Sequence, residues 1–252
     1  MSPRTSNIPM AEAGDRPAFY ALGPGGWRDY WSLLHPPYTA WHLSYVVLGA
    51  CIAPVVDVLW LVETLLAFFL AMGLAAHALD ELNGRPLRTR IPDGVLWAFA
   101  VIGLGGAIAL GIHGTLVVSP WLWAFIGVGG FLVVAYSLEL FGGAFHSDLW
   151  FALGWGAFPA LTAYFAQTAT LRVEALLVAA GCAALSAAQR VLSTPVRRLR
   201  RTVASVSGEL VTTEGIHEPL DASALRAAPE GALRWLSLAV PLVAAALLVA
   251  RF

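Results

Sequence analysis

The sequence predicts an all-α fold, a polytopic transmembrane helical bundle of about seven spans. Three observations carry that prediction. Hydrophobic residues make up 58% of the 252-residue chain and charged residues only 12%, half the roughly 25% that a soluble domain uses for its surface. The mean hydropathy is +0.72. The apolar residues also fall into separate segments near the length of about 20 residues that a helix needs to cross a hydrocarbon core.

Taken in order, residues 1–30 read as a cytoplasmic or interfacial arm. They contain Arg4, Arg16 and Arg28 but lack the apolar run of about 7–15 residues that marks a signal peptide. Trp27, Tyr30 and Trp31 suit the headgroup level. Residues 31–192 form a core of six spans, at 37–54, 58–79, 95–112, 119–138, 149–167 and 173–189. The breaks are Pro54 with Asp57, Asn83-Gly84-Arg85-Pro86, His113-Gly114, Gly142-Gly143, Thr170 to Arg172, and Thr194-Pro195. Frequent Gly, Ala and Ser suit close packing of helices in lipid. Residues 193–230 read as a cytoplasmic loop with basic Arg197, Arg198, Arg200 and Arg201 and acidic Glu209, Glu214, Glu218 and Asp221. Such a basic run next to a span ordinarily anchors it to anionic lipid. Residues 231–252 hold the seventh span, at 232–250.

Charge sets the orientation and excludes some partners. Arg4, Arg16, Arg28, Arg85, Arg88, Arg90, Arg197, Arg198, Arg200, Arg201 and Arg226 collect on one side, against little more than Arg172 and Arg251 on the other. By the positive-inside rule the first side is cytoplasmic, in a bacterial-type cell membrane. A net charge of −1 supplies no pull on nucleic acid. Cys51 and Cys182 lie in apolar runs and suggest no disulfide framework. All 15 basic residues are arginine, so a phosphate contact has to be made without lysine. The oligomeric state is not legible.

Ionisable residues inside spans mark function by default, and here they converge at one depth. His77, Asp80 and Glu81 stand at i, i+3 and i+4 and share a helical face. His42 reaches a similar depth from the first span; Tyr136 and Glu139 end the fourth; His146 and Asp148 follow; Gln189 and Arg190 end the sixth. Two chemistries fit. A divalent cation on Asp80 and Glu81 would bridge to a phosphorylated substrate clamped by Arg85, Arg88 and Arg90. Alternatively, His42, His77 and a carboxylate would hold a transition metal. The plain alternative is a set of hydrogen-bonded helix ends at the interface. Asp57, Glu63 and His113 lie toward the other side and acquire no role.

At these residues the chain resembles the UbiA-type intramembrane prenyltransferase superfamily. The stretch Ala75-Ala76-His77-Ala78-Leu79-Asp80-Glu81-Leu82-Asn83-Gly84-Arg85-Pro86 is similar to its first signature, and Arg90-Ile91-Pro92-Asp93-Gly94 to the turn that follows. Tyr136-Ser137-Leu138, Ser147-Asp148-Leu149 and Gly154-Trp155-Gly156 resemble its fourth and fifth spans, and His35-Pro36-Pro37-Tyr38 its first. The first Asp-rich motif is degenerate, with His77 in place of an Asn. The second is absent, since Ala187-Ala188-Gln189-Arg190-Val191-Leu192-Ser193 holds no carboxylate.

The resemblance implies a prenyltransferase-like transferase or a terpene cyclase-like enzyme that takes a prenyl diphosphate from the bilayer. It implies His77, Asp80, Glu81, Tyr136 and Asp148 as catalytic residues, Arg85, Arg88, Arg90, Arg190 and His42 as substrate contacts, and magnesium on Asp80, Glu81 and His77. Two alternatives stand beside it: a His/carboxylate metalloenzyme with a His-bound transition metal acting on a lipid or quinone, and a non-catalytic lipid-binding subunit.

Overall fold

The computed structural model describes residues 16–252; Arg4 and the rest of residues 1–15 lie outside them. Eight helices organise the described residues. They are α1 (Trp27–Leu34), α2 (Pro36–Cys51), α3 (Val58–Leu82), α4 (Asp93–Val117), α5 (Leu122–Ser137), α6 (Asp148–Thr168), α7 (Val173–Arg201) and α8 (Ala222–Val249). Five of them, α3, α4, α6, α7 and α8, are long and apolar enough to cross a membrane, whereas α2 and α5 have 16 residues each. Large apolar side chains such as Val101, Ile102, Leu177, Leu242 and Val243 face outward, as they do where lipid rather than water is the solvent. Trp27 and Trp31 stand exposed toward one rim of the bundle, and Trp121 and Trp123 beyond the far end of α4.

Local chemistry sets the helix ends. The Asp57 side chain accepts from the amides of Leu59 and Trp60, at 2.8 and 3.3 Å, and caps α3. Gln167 then exchanges two hydrogen bonds with the Asp57 backbone, joining the start of α3 to the end of α6. His113 and Glu63, on the same side of the bundle, form a pair at 3.0 Å between α3 and α4. Asp221 caps α8 through the Ala224 amide. The sequence reading ends the sixth span near Gln189 and opens a loop at 193. In the structure α7 continues through Pro195 to Arg201 and α8 starts at Ala222. Between them lies a small antiparallel ladder, Glu209–Val211 with His217–Pro219.

Helix α2 packs between α6 and α8, α6 also meets α7, and α4 lies against α3 and α5. Small residues permit these approaches. A Cβ on Gly49 would collide with the Ala160 carbonyl, and one on Gly156 would lie 2.7 Å from the Cys182 carbonyl oxygen. Two of the helices contain a π-helical stretch, Phe69–Ala76 in α3 and Ala152–Ala157 in α6. Such stretches widen a helix by one residue and recur near functional sites. Both adjoin the cavities described next.

Candidate functional site

One end of the bundle encloses a polar cavity of about 270 Å³. It gathers much of what the sequence predicts: His42, His77, Asp80, Glu81, Tyr136 and Arg190 all line it. His35 arrives because a single residue joins α1 to α2, in the left-handed conformation at φ 47°. That sharp turn places its ring 4.1 Å from the His77 ring, centroid to centroid. The His35 Nε2 is buried, with no hydrogen-bond partner among the described residues. Burial holds the imidazole well below its ordinary pKa, with His77, Arg201, His42 and Arg197 adding to the effect.

Other lining groups have defined partners. His77 Nδ1 donates to the Gly73 carbonyl at 3.0 Å, which leaves Nε2 of the neutral ring as the acceptor. His42 Nε2 meets Gln189 Oε1 at 2.9 Å. His146 Nδ1 donates to the Tyr136 carbonyl, and its ring stacks on Tyr136 at 4.3 Å. Asp80 lies beside Ser137, with His146, Glu139 and Glu81 as its ionisable neighbours.

The remaining predicted residues serve the frame around the cavity. Glu81 is fully buried, and its two oxygens accept from the Leu87 and Thr89 amides at 3.0 and 2.8 Å. It therefore ties down the loop between α3 and α4. Arg85 braces the same loop from inside, through the Ile91 carbonyl at 2.7 Å and an ion pair with Asp93. Arg88 and Arg90 are exposed on it and do not line the cavity. The Arg90 amide donates to Asp29 of α1. Asp148 is mostly exposed and holds Arg190 Nε at 2.8 Å.

The structure adds Ser193, Arg197 and Arg201, which sequence reasoning missed, to the predicted Gln189 and Arg190. With α7 extended, Gln189, Arg190, Ser193, Arg197 and Arg201 recur at helical spacing and all line the cavity. The run of arginines divides by periodicity. Arg197 and Arg201 point inward, Arg198 is exposed, and Arg200 pairs with the buried Glu230 of α8 at 2.6 Å. Residues 17–20 also line the cavity, held by Arg201 Nε on the Pro17 carbonyl and Trp31 Nε1 on the Tyr20 carbonyl. Burial raises the Tyr20 phenol well above its ordinary pKa.

Beneath the polar cavity lies a second, apolar one of about 110 Å³, between α3, α4, α5 and α6. Phe68, Met72, Ile108, Phe125, Ile126 and Phe158 are among its walls. Trp155, in the π-helical stretch of α6, lines both spaces. Tyr136 lies 4.3 Å from it and Phe151 stacks on it at 5.8 Å, so aromatic rings cluster at the wall that the two spaces share.

Of Asp80, Glu81 and His77, Glu81 is poorly placed to hold magnesium. Both Glu81 oxygens are engaged by backbone amides, whereas the Nδ1 bond of His77 to the Gly73 carbonyl leaves its Nε2 lone pair available. Among the described residues no three His, Cys, Asp or Glu side chains are grouped to hold a metal. Compared with known proteins, the chain matches no family model, no curated protein and no solved structure.

Proposed function

We propose that this protein is a UbiA-like intramembrane enzyme that acts on a prenyl diphosphate, by prenyl transfer or cyclisation. In this reading all seven apolar helices, including the shorter α2 and α5, cross the membrane, and the polar cavity opens toward the cytoplasm. The observation that carries the proposal is the junction at Trp155, where a polar chamber and an apolar slot share one wall. Only an amphiphile fills both, and an isoprenoid tail with a charged head has that form.

The chemistry follows from the junction. With the head in the chamber and the tail in the slot, C1 of the prenyl group stands among Tyr136, Phe151 and Trp155. Their ring faces favour positive charge. The C1–O bond breaks with its electron pair on the departing diphosphate. The allylic cation then bonds an acceptor nucleophile, which gives up its proton to His77 Nε2, or is attacked by a double bond of its own chain and the cyclic cation loses a proton to the same nitrogen. Asp80 orients that chemistry at the chamber floor. The test is pyrophosphate release from geranylgeranyl diphosphate by the protein in nanodiscs made with a lipid extract. Release that Trp155→Ala abolishes is the expected result. Binding without release turns the reading toward a lipid-binding subunit, and no binding removes it.

A further inference from the structure

We propose that the diphosphate head is held directly by Arg190, Arg197 and Arg201, with no divalent cation bound by the protein. The proposal rests on the isoprenoid reading for its ligand and concerns how the head is gripped.

The three arginines stand at i, i+7 and i+11 on one face of α7, and all three line the polar chamber. At about 1.5 Å per residue a 29-residue helix is longer than the hydrocarbon core, so its last turns reach headgroup depth. Arg197 is within electrostatic reach of both Arg190 and Arg201. Like charges gathered in a partly closed space repel one another, and an anion between them relieves the repulsion.

Each guanidinium keeps free donors. Arg197 gives one Nη to Ser193 Oγ at 2.7 Å and the other to Thr194 Oγ1 at 3.0 Å, out of five N–H groups. Arg201 uses Nε on the Pro17 carbonyl and Arg190 uses Nε on Asp148, and neither contact takes up the two-nitrogen fork that matches phosphate oxygens. The buried His35 Nε2 offers one more polar contact from the opposite wall. The carboxylates present a weaker case for a cation, because Glu81 is engaged by amides and only Asp80 and Glu139 remain on the lining against the three arginines.

The experiment is native mass spectrometry of the full chain in nanodiscs with geranylgeranyl diphosphate, run in excess EDTA and again with magnesium. Binding that persists in EDTA is the expected result. Arg197→Gln weakens it about tenfold or more, the worth of one charge-assisted contact, while Arg198→Gln leaves it unchanged. Asp80→Asn binds as well or better, because a like charge is removed. Inorganic diphosphate competes, and phosphatidylglycerol does not. Binding that requires magnesium and is lost in Asp80→Asn overturns the proposal but keeps the isoprenoid reading. Displacement by phosphatidylglycerol alone assigns the arginines to lipid headgroups and overturns it. Absence of binding in both conditions overturns the proposal and the isoprenoid reading together.

Discussion

His42 and Gln189, separated by 147 residues, meet at 2.9 Å in the wall of the polar cavity and join α2 to α7. Both side chains are buried, so each satisfies a polar group that would otherwise stand without a partner. The bond also fixes the height of α7 relative to His77, and with it the positions of Arg190, Arg197 and Arg201.

Gln189→Leu removes that bond and leaves His42 unpartnered. The expected loss of stability is about 1–3 kcal/mol, the cost of an orphaned buried polar group. A lower melting temperature in detergent checks it. His42→Leu combined with Gln189→Leu recovers part of the loss, because neither partner is then stranded.

Glu81→Gln acts on the loop rather than on ligand chemistry. One amide acceptor remains and the new NH2 faces a backbone donor, so the loop after α3 loosens by about 1–3 kcal/mol. Hydrogen exchange at the Leu87 and Thr89 amides rises, with less change at the cavity residues of α7. An unchanged exchange rate contradicts the structural role assigned to Glu81.

His35 gives the fold a pH dependence of known sign. Its folded pKa is depressed by burial, whereas the unfolded chain takes up a proton near pH 6.5. The unfolded state therefore binds more protons below that value, and stability falls as the pH drops. His35→Asn does not titrate and tolerates the left-handed backbone found there. Its melting temperature falls less than the native chain's between pH 8 and about pH 5.

The apolar slot sets tail length. Ala107 lines it on α4, well away from the polar end. Ala107→Phe shortens the space, so binding of geranylgeranyl diphosphate weakens while geranyl diphosphate is retained. Equal weakening of both contradicts a tail lying in the slot.

The sequence made part of this arrangement legible, for identifiable physical reasons. Helical spacing and depth brought His42, His77, Asp80, Tyr136 and Arg190 to one chamber, because a hydrocarbon core leaves few places for polar side chains. Spacing cannot separate Asp80 from Glu81, which differ only in whether backbone amides of a later loop reach them. Spacing is equally silent on Arg85, whose carbonyl partners, Thr89 and Ile91, lie in the loop that follows it. Arg197 and Arg201 were hidden by Thr194-Pro195, a pattern that ordinarily ends a helix but lies inside one here. The Tyr20 segment and the two π-helical stretches carry no periodic signature, since each depends on packing between distant elements.

The most direct test of the account is photo-crosslinking with geranylgeranyl diphosphate that carries a diazirine at the tail end, followed by mapping of the labelled peptides. The account predicts labels on slot residues such as Phe68, Ile108, Ile126 and Phe158, lost in Ala107→Phe and competed by inorganic diphosphate. Labels confined to the outward, lipid-facing side chains such as Val101, Leu177 and Val243 would contradict it.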